Sequence, residues 1–140
     1  MPESRNHSDL VGDLVRWVQE EYSDRYGVCL YCDHPERELP PLVGGVRPDL
    51  YAQDLTGSFV VIGEAKTDDD LENEHTRLQL ARYLDHLSLN HEPILLLATS
   101  INGRATAQSV VKRVIRETGI DGVTVVFLPD RITWIGTKTC

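Results

Sequence analysis

No apolar run in the chain approaches the eighteen or so residues that a membrane-spanning helix needs, so no membrane association is expected. Cysteine is scarce. Only Cys29, Cys32 and Cys140 occur, an odd set that argues against a disulfide framework and for a reducing compartment. Positive charge is short as well: 14 Lys and Arg face 22 Asp and Glu, a net charge of −8. That is the wrong sign for a protein that grips nucleic acid mainly by charge, so any such contact must be local, metal-assisted or brought by a partner. The start MPESRNHSD is polar and proline-bearing and lacks the apolar core of a signal peptide, and the expected location is cytoplasmic. Internal repeats and low-complexity segments are missing too. What is present is an ordinary globular composition, 41% hydrophobic and 26% charged, which excludes collagen-like sequence and disfavours intrinsic disorder. A length of 140 residues suits one domain, 1–140, around one core.

From Ser8 to about Tyr22 the residues Leu10, Val11, Leu14, Val15, Trp17 and Val18 recur at helical spacing, and Ser8 is placed to cap the first turn. A short β-rich strand, Tyr26 to Cys32, leads into the loop DHPERELPPLVGG. Two further strands, Val46 to Asp54 and Ser58 to Lys66, flank Leu55-Thr56-Gly57, whose glycine suits a tight hairpin reversal. After Asp68-Asp69-Asp70, a second helix from Leu71 to Leu89 puts Leu80, Leu84 and Leu87 on one stripe, with Pro93 as its outer limit. The continuous apolar run Ile94 to Thr99 reads as a strand covered on both faces. A helix from Arg104 to Thr118, stopped by Gly119, and a strand from Val123 to Leu128 complete the alternation, with Ile132 to Ile135 as an extra edge strand. The expected order is α-β-β-β-α-β-α-β, an α/β fold.

Residues two apart on a strand share a face, so Glu64 and Lys66 of Gly63-Glu64-Ala65-Lys66 project together. A hairpin turning symmetrically about Thr56-Gly57 puts Asp49 opposite Glu64 and Arg47 opposite Lys66. Directly paired residues have Cβ atoms roughly 5 Å apart, close enough for two carboxylates to share one hard cation of the magnesium type. Such a pair resists joint ionisation without a cation, a shared proton or solvent. A divalent metal between them would polarise a phosphoryl oxygen and acidify a bound water while the lysine orients that water, which is the chemistry of phosphodiester hydrolysis. The alternative is that Asp49, Glu64 and Lys66 form a solvated hairpin face.

Arg47-Pro48-Asp49, then fourteen residues ending in the apolar run FVVIG, then Glu64-Ala65-Lys66, resembles the PD-(D/E)xK nuclease superfamily. The resemblance runs from helix one to the strand after helix two and implies a restriction-endonuclease-like core, α-β-β-β-α-β, here with an added α-β and a central mixed sheet flanked by helices. It implies that Asp49 and Glu64 bind Mg2+, with Mn2+ as a substitute, that the Ala65 carbonyl is a further ligand, and that Lys66 supports the attacking water. On helix two, Thr76, Gln79, Tyr83 and His86 form a polar stripe beside the leucine face. Gln79 with Tyr83 looks like the Gln and aromatic pair, four residues apart, that several branches of the superfamily carry there, which implies a role in orienting the site or touching the substrate strand. The alternative is that Tyr83 packs at the core edge and Gln79 satisfies a buried polar group. Relatives often add an acid from helix one; Glu21 lies in line with Leu10, Leu14 and Trp17, whereas the usual first-turn position is nearer His7.

Cys29-x-x-Cys32 with His34 and Cys140 carries zinc-type ligands, but residues three apart on a strand point to opposite faces, and small buried thiols are expected instead. Asp68, Asp69 and Asp70 read as a solvated helix start. Arg47, Arg77 and Arg82 are candidates for phosphate contacts or for surface ion pairs. The expected function is therefore a magnesium-dependent deoxyribonuclease of the junction-resolvase-like group, with DNA as partner and a homodimer or a larger complex as its assembly. Two alternatives stand beside it: a non-catalytic protein-interaction module on the same fold, favoured by the acidic surface, and a nuclease subunit whose partners bring DNA binding.

Overall fold

The structure is a computed structural model that describes residues 6–129 and 132–136. Helix α1 spans His7–Glu21 and is capped by Asn6, whose side chain accepts from the Asp9 amide at 2.9 Å. The expected cap, Ser8, instead lies inside the helix. Asparagine caps at least as well as serine, and its earlier position brings His7 into the first turn. Leu10, Val11, Leu14, Trp17 and Val18 form the buried stripe of α1.

Three strands follow: β1 (Cys29–Cys32), β2 (Leu50–Gln53) and β3 (Val60–Ala65). The first begins later than expected because Gly27 turns the chain with a φ of 69° and leaves Tyr26 exposed. In place of a strand from Val46, the chain makes a small turn in which Val43 bridges Val46 across Gly44 and Gly45, both at positive φ. Pro48, with no amide hydrogen to give to a ladder, delays β2 to Leu50. The hairpin register is the expected one, with Leu50 opposite Gly63 and Tyr51 opposite Ile62. Its turn is held by Asp54, whose Oδ1 accepts from the Ser58 amide at 2.7 Å, and by Gly57 at a φ of 68°.

A 3-10 turn at Asp68–Asp70 precedes α2, which spans Glu74–Ser88 rather than starting at Leu71. Asn73 sets that start by accepting from the Thr76 amide at 2.8 Å. Strand β4 (Pro93–Ala98), helix α3 (Arg104–Thr118) and strand β5 (Val123–Leu128) follow, and β6 (Ile132–Gly136) is the extra edge strand. Gly119 ends α3 in the left-handed conformation, as its position predicts. Cys140 lies outside the described residues.

The six strands lie side by side in sequence order, antiparallel from β1 to β3, parallel from β3 to β5, and antiparallel again at β6. This is the expected mixed sheet with helices on both faces. Alternation divides each central strand between two cores: Val61, Leu96 and Val126 pack with α1, while Ile62, Leu95 and Val125 pack with α2 and α3. Helix α1 lies close on the sheet at Gly63, where a Cβ would meet the Cβ of Leu50 at 3.1 Å and both methyls of Leu14 at 3.3 Å. Leu14 is fully buried and has nowhere to move. Gly63→Val should therefore destabilise the protein by about 1–3 kcal/mol through overpacking, measured by urea unfolding.

Candidate active site

The hairpin register, continued one step past Leu50, sets Asp49 beside Glu64. Alternation puts Asp49 in phase with Tyr51, and Glu64 and Lys66 in phase with Ile62, so all three face α2. The Asp49 amide donates to the Gly63 carbonyl at 3.1 Å, and Asp49 Oδ2 accepts from the Ala65 amide at 2.8 Å. Both carboxylates are out of solvent, with Asp49 at 8% and Glu64 at 4% exposure.

Helix α2 completes the cluster from the side. Tyr83 Oη donates to Glu64 Oε1 at 3.1 Å, and one turn earlier Gln79 Oε1 accepts from Lys66 Nζ at 2.6 Å. Lys66 Nζ also lies 3.3 Å from Glu64 Oε2. The two open readings of this helix thus meet: Tyr83 is fully buried in the core, and its hydroxyl touches the carboxylate cluster. The rest of the polar stripe does other work. Thr76 hydrogen-bonds the Asp70 carbonyl, and His86 Nε2 meets the Tyr51 hydroxyl at 3.0 Å.

Burial first, and the neighbouring Asp49 charge second, push the Glu64 carboxyl up to about 7, against the opposing pull of Lys66 and the Tyr83 hydrogen bond. Burial and the same carboxylate hold the Tyr83 phenol far above its ordinary range, so Tyr83 acts here as a hydrogen-bond donor. Two ionised carboxylates would exceed the charge that Lys66 offsets, so Glu64 holds its proton more tightly than a free glutamate does. Among the described residues, no three His, Cys, Asp or Glu side chains are gathered to hold a metal ion on their own. Two carboxylates with the neighbouring Ala65 carbonyl make a hard oxygen set of the kind divalent cations such as magnesium take. These residues fit that ion.

Comparison with known proteins finds no matching family model and no matching curated protein. Among solved structures, SfsA of Pyrococcus furiosus in complex with Ca2+ is similar at a TM-score of 0.49 and 11% identity, over 86% of this chain. The match covers 57% of that protein, so this chain spans less than two thirds of its length.

Helix one contributes His7, not Glu21. His7 Nε2 lies 3.1 Å from Asp49 Oδ2 with its side chain 48% exposed, at the solvent edge of the cluster. Glu21 sits at the far end of the helix, about 21 Å along its axis, near Arg25 and Glu92. The signal for His7 was Asn6: reading that residue as the cap places His7 in the turn nearest the sheet. Arg47 is not opposite Lys66, because β2 has not begun at that point; its guanidinium donates to the Pro40 carbonyl instead. Arg82 bonds the Gly44 carbonyl, so both arginines hold the loop before β2. Cys32 packs with the α1 core while Tyr31 beside it packs with the α2 core, which leaves Cys29 and Cys32 on opposite faces as free thiols. Asp68, Asp69 and Asp70 are exposed, and Asp68 accepts from Ser100 Oγ at 2.6 Å.

Because the folded protein raises the Glu64 pKa above its value of 4.5 in an unfolded chain, it favours the protonated acid. The associated stability is fully present below pH 4.5 and is lost as pH rises through about 7. At about 1.4 kcal/mol per pKa unit, Glu64→Gln should gain about 3–4 kcal/mol on wild type between the two limits in a chelator, measured by urea unfolding across pH. A flat difference between the two proteins would contradict this charge balance.

Proposed function

We propose that the protein is a metal-dependent phosphodiester hydrolase acting on DNA, of the PD-(D/E)xK type. The observation that carries this reading is the convergence of Asp49, Glu64 and Lys66 in one buried cluster on one face of the sheet. A solvated hairpin face would leave these three side chains separately exposed; here each is buried and bonded to another group of the cluster or to α2.

In this reading Asp49, Glu64 and the Ala65 carbonyl hold Mg2+, or Mn2+ in its place. When bound, the ion acidifies a water and polarises a phosphoryl oxygen. The protein does the positioning. The Ala65 amide and His7 fix Asp49 Oδ2, and Oδ1 is the oxygen that would take the ion. Tyr83 fixes one oxygen of Glu64. Gln79 anchors Lys66 Nζ, so the ammonium stays beside the carboxylates, where it orients the attacking water and offsets the charge that develops on the phosphate. Gln79 is thus a positioning residue, and Tyr83 holds a ligand rather than touching the substrate.

The net charge of −8 favours one variant of this reading, in which the chain is the nuclease subunit of a larger assembly whose partners supply DNA affinity. A homodimer is the other assembly this reading allows, one copy for each strand of a duplex.

Calorimetric titration of Mn2+ with a parallel DNA cleavage assay tests the proposal. Asp49→Ala should lose metal binding. Lys66→Ala should keep it and cleave about 100-fold or more slowly, since the lysine acts in the chemical step. Wild-type protein that binds no divalent metal would favour the interaction module. Unaided binding to duplex DNA should be shallow in salt, with a slope of log affinity against log salt of roughly −2 to −4, as few phosphates are neutralised. A slope near −8 would reveal a basic surface that the composition hides.

A further inference from the structure

A pocket of about 450 Å³ opens on the α2 side of the sheet, beside the β1 edge. Its floor is the sheet itself: Tyr31 on β1 is directly opposite Tyr51 on β2, and Gln53 follows two residues along the same face. His86 of α2 forms one wall, its Nε2 3.0 Å from the Tyr51 hydroxyl and its ring inclined at 60° to the Tyr51 ring. The strap of residues 39–43 forms the other. That strap is fixed by the paired backbone groups of Val43 and Val46 at 2.7 and 3.0 Å, by Arg82 on the Gly44 carbonyl and by Arg47 on the Pro40 carbonyl, so the pocket is preformed.

The lining selects the occupant. Among the described residues, no Lys, Arg, Asp or Glu lines the pocket, so it suits an uncharged body. Aromatic and aliphatic surfaces are combined with a few donors and acceptors: Leu39 and Leu42 form an exposed apolar rim, and the Tyr31 hydroxyl, the Gln53 amide and the His86 ring supply polar atoms. A nucleobase has the matching character, neutral and planar with apolar faces and a hydrogen-bonding edge. The pocket also adjoins the candidate metal centre on two elements. Tyr51 lies two residues from Asp49 on the same face of β2, about 6.6 Å along the strand. His86 lies three residues from Tyr83, which holds Glu64, about 4.5 Å along α2.

We propose that this pocket seats one unpaired base of a DNA strand, stacked on Tyr31, from the nucleotide beside the phosphate at the metal centre. The inference rests on the nuclease reading above and adds its substrate class: single-stranded or locally opened DNA, because a base inside an intact duplex is stacked and paired and does not reach a pocket. Tyr51 is buried and pinned by His86, whereas Tyr31 is half-buried on the edge strand, which leaves its ring to the ligand. Stacking on an aromatic ring needs no basic side chain, and so suits a chain of net charge −8. An apolar side chain of a partner protein is a poorer occupant, since it would cover the polar atoms of Gln53 and His86 without answering them.

The test uses the full chain with two fluorescein-labelled single strands of equal length and charge, one of thymidines and one of abasic residues. Anisotropy is read in a chelator, Mn2+ affinity by calorimetry, and oligomeric state by sedimentation. Wild type should bind the thymidine strand about fivefold or more tightly than the abasic one, the contribution of one stacked base. Tyr31→Leu should remove that preference, and Tyr31→Phe, which keeps the ring, should retain most of it. Both variants should keep Mn2+ affinity and the wild-type salt slope, since no phosphate contact is lost. If wild type binds both strands equally, or Tyr31→Leu keeps the preference, the pocket assignment is overturned, while Mn2+ binding with cleavage leaves the nuclease reading standing. Preference intact with self-association lost in Tyr31→Leu would make the pocket an interface between copies. A salt slope shallower by about 0.9 in Tyr31→Leu would put a phosphate there, and loss of Mn2+ affinity would mark a structural role; either overturns the proposal. Wild type that binds Mn2+ but neither strand overturns the base pocket and favours the partnered subunit. Wild type that binds neither Mn2+ nor DNA overturns the nuclease reading itself.

Discussion

Burying two carboxylates side by side is costly, and the hairpin of β2 and β3 does so through its register alone. Once Leu50 is opposite Gly63, Asp49 has no other place than beside Glu64, and both must be answered by donors. Every neighbour of the cluster supplies one. The Ala65 amide comes from the adjacent strand, the Tyr83 hydroxyl and the Gln79-anchored Lys66 from the α2 side, and His7 from the first turn of α1. The apolar cores above and below the sheet hold these elements in place, and the carboxylates set where their polar ends must meet.

The parts of this arrangement that were readable in the sequence are those governed by short-range rules. A glycine after Thr56 sets the reversal, the reversal sets the register, and the period of two puts Asp49, Glu64 and Lys66 on one face. The bounds of α3 and β5 follow equally from Gly119 and from an unbroken apolar run. The misplaced parts turned on competition between adjacent signals. Asn6 and Ser8 both cap well, and choosing the later one hides His7. Leu71 continues the apolar stripe of α2, but Asn73 behind it starts the helix. Arg47 fits the strand pattern by alternation, but Pro48 keeps it out of β2. Partners distant in sequence, such as Tyr51 with His86 or Arg82 with Gly44, leave no local trace and emerge only when β2 and the loop before it fold against α2.

Function on this framework depends on what the fold leaves unsatisfied. The apolar faces pack against helices on both sides of the sheet, and the carboxylate pair lies at one end of it, beside His7 at the solvent edge.

Helix α2 meets the end of β3 at two rungs, Tyr83 to Glu64 and Gln79 to Lys66. The spacings match: four residues of helix advance about 6 Å, and two residues of strand about 6.6 Å. The two bonds therefore behave like a key with two teeth. Sliding α2 by a turn in one direction would bring Tyr83 to the level of Lys66, and in the other Gln79 to the level of Glu64, so either slip misaligns both rungs at once. Intermediate positions of the helix satisfy neither. The carboxylate and the ammonium are consequently aligned or released together, and a motion of α2 as a rigid rod would switch the whole cluster instead of loosening it residue by residue.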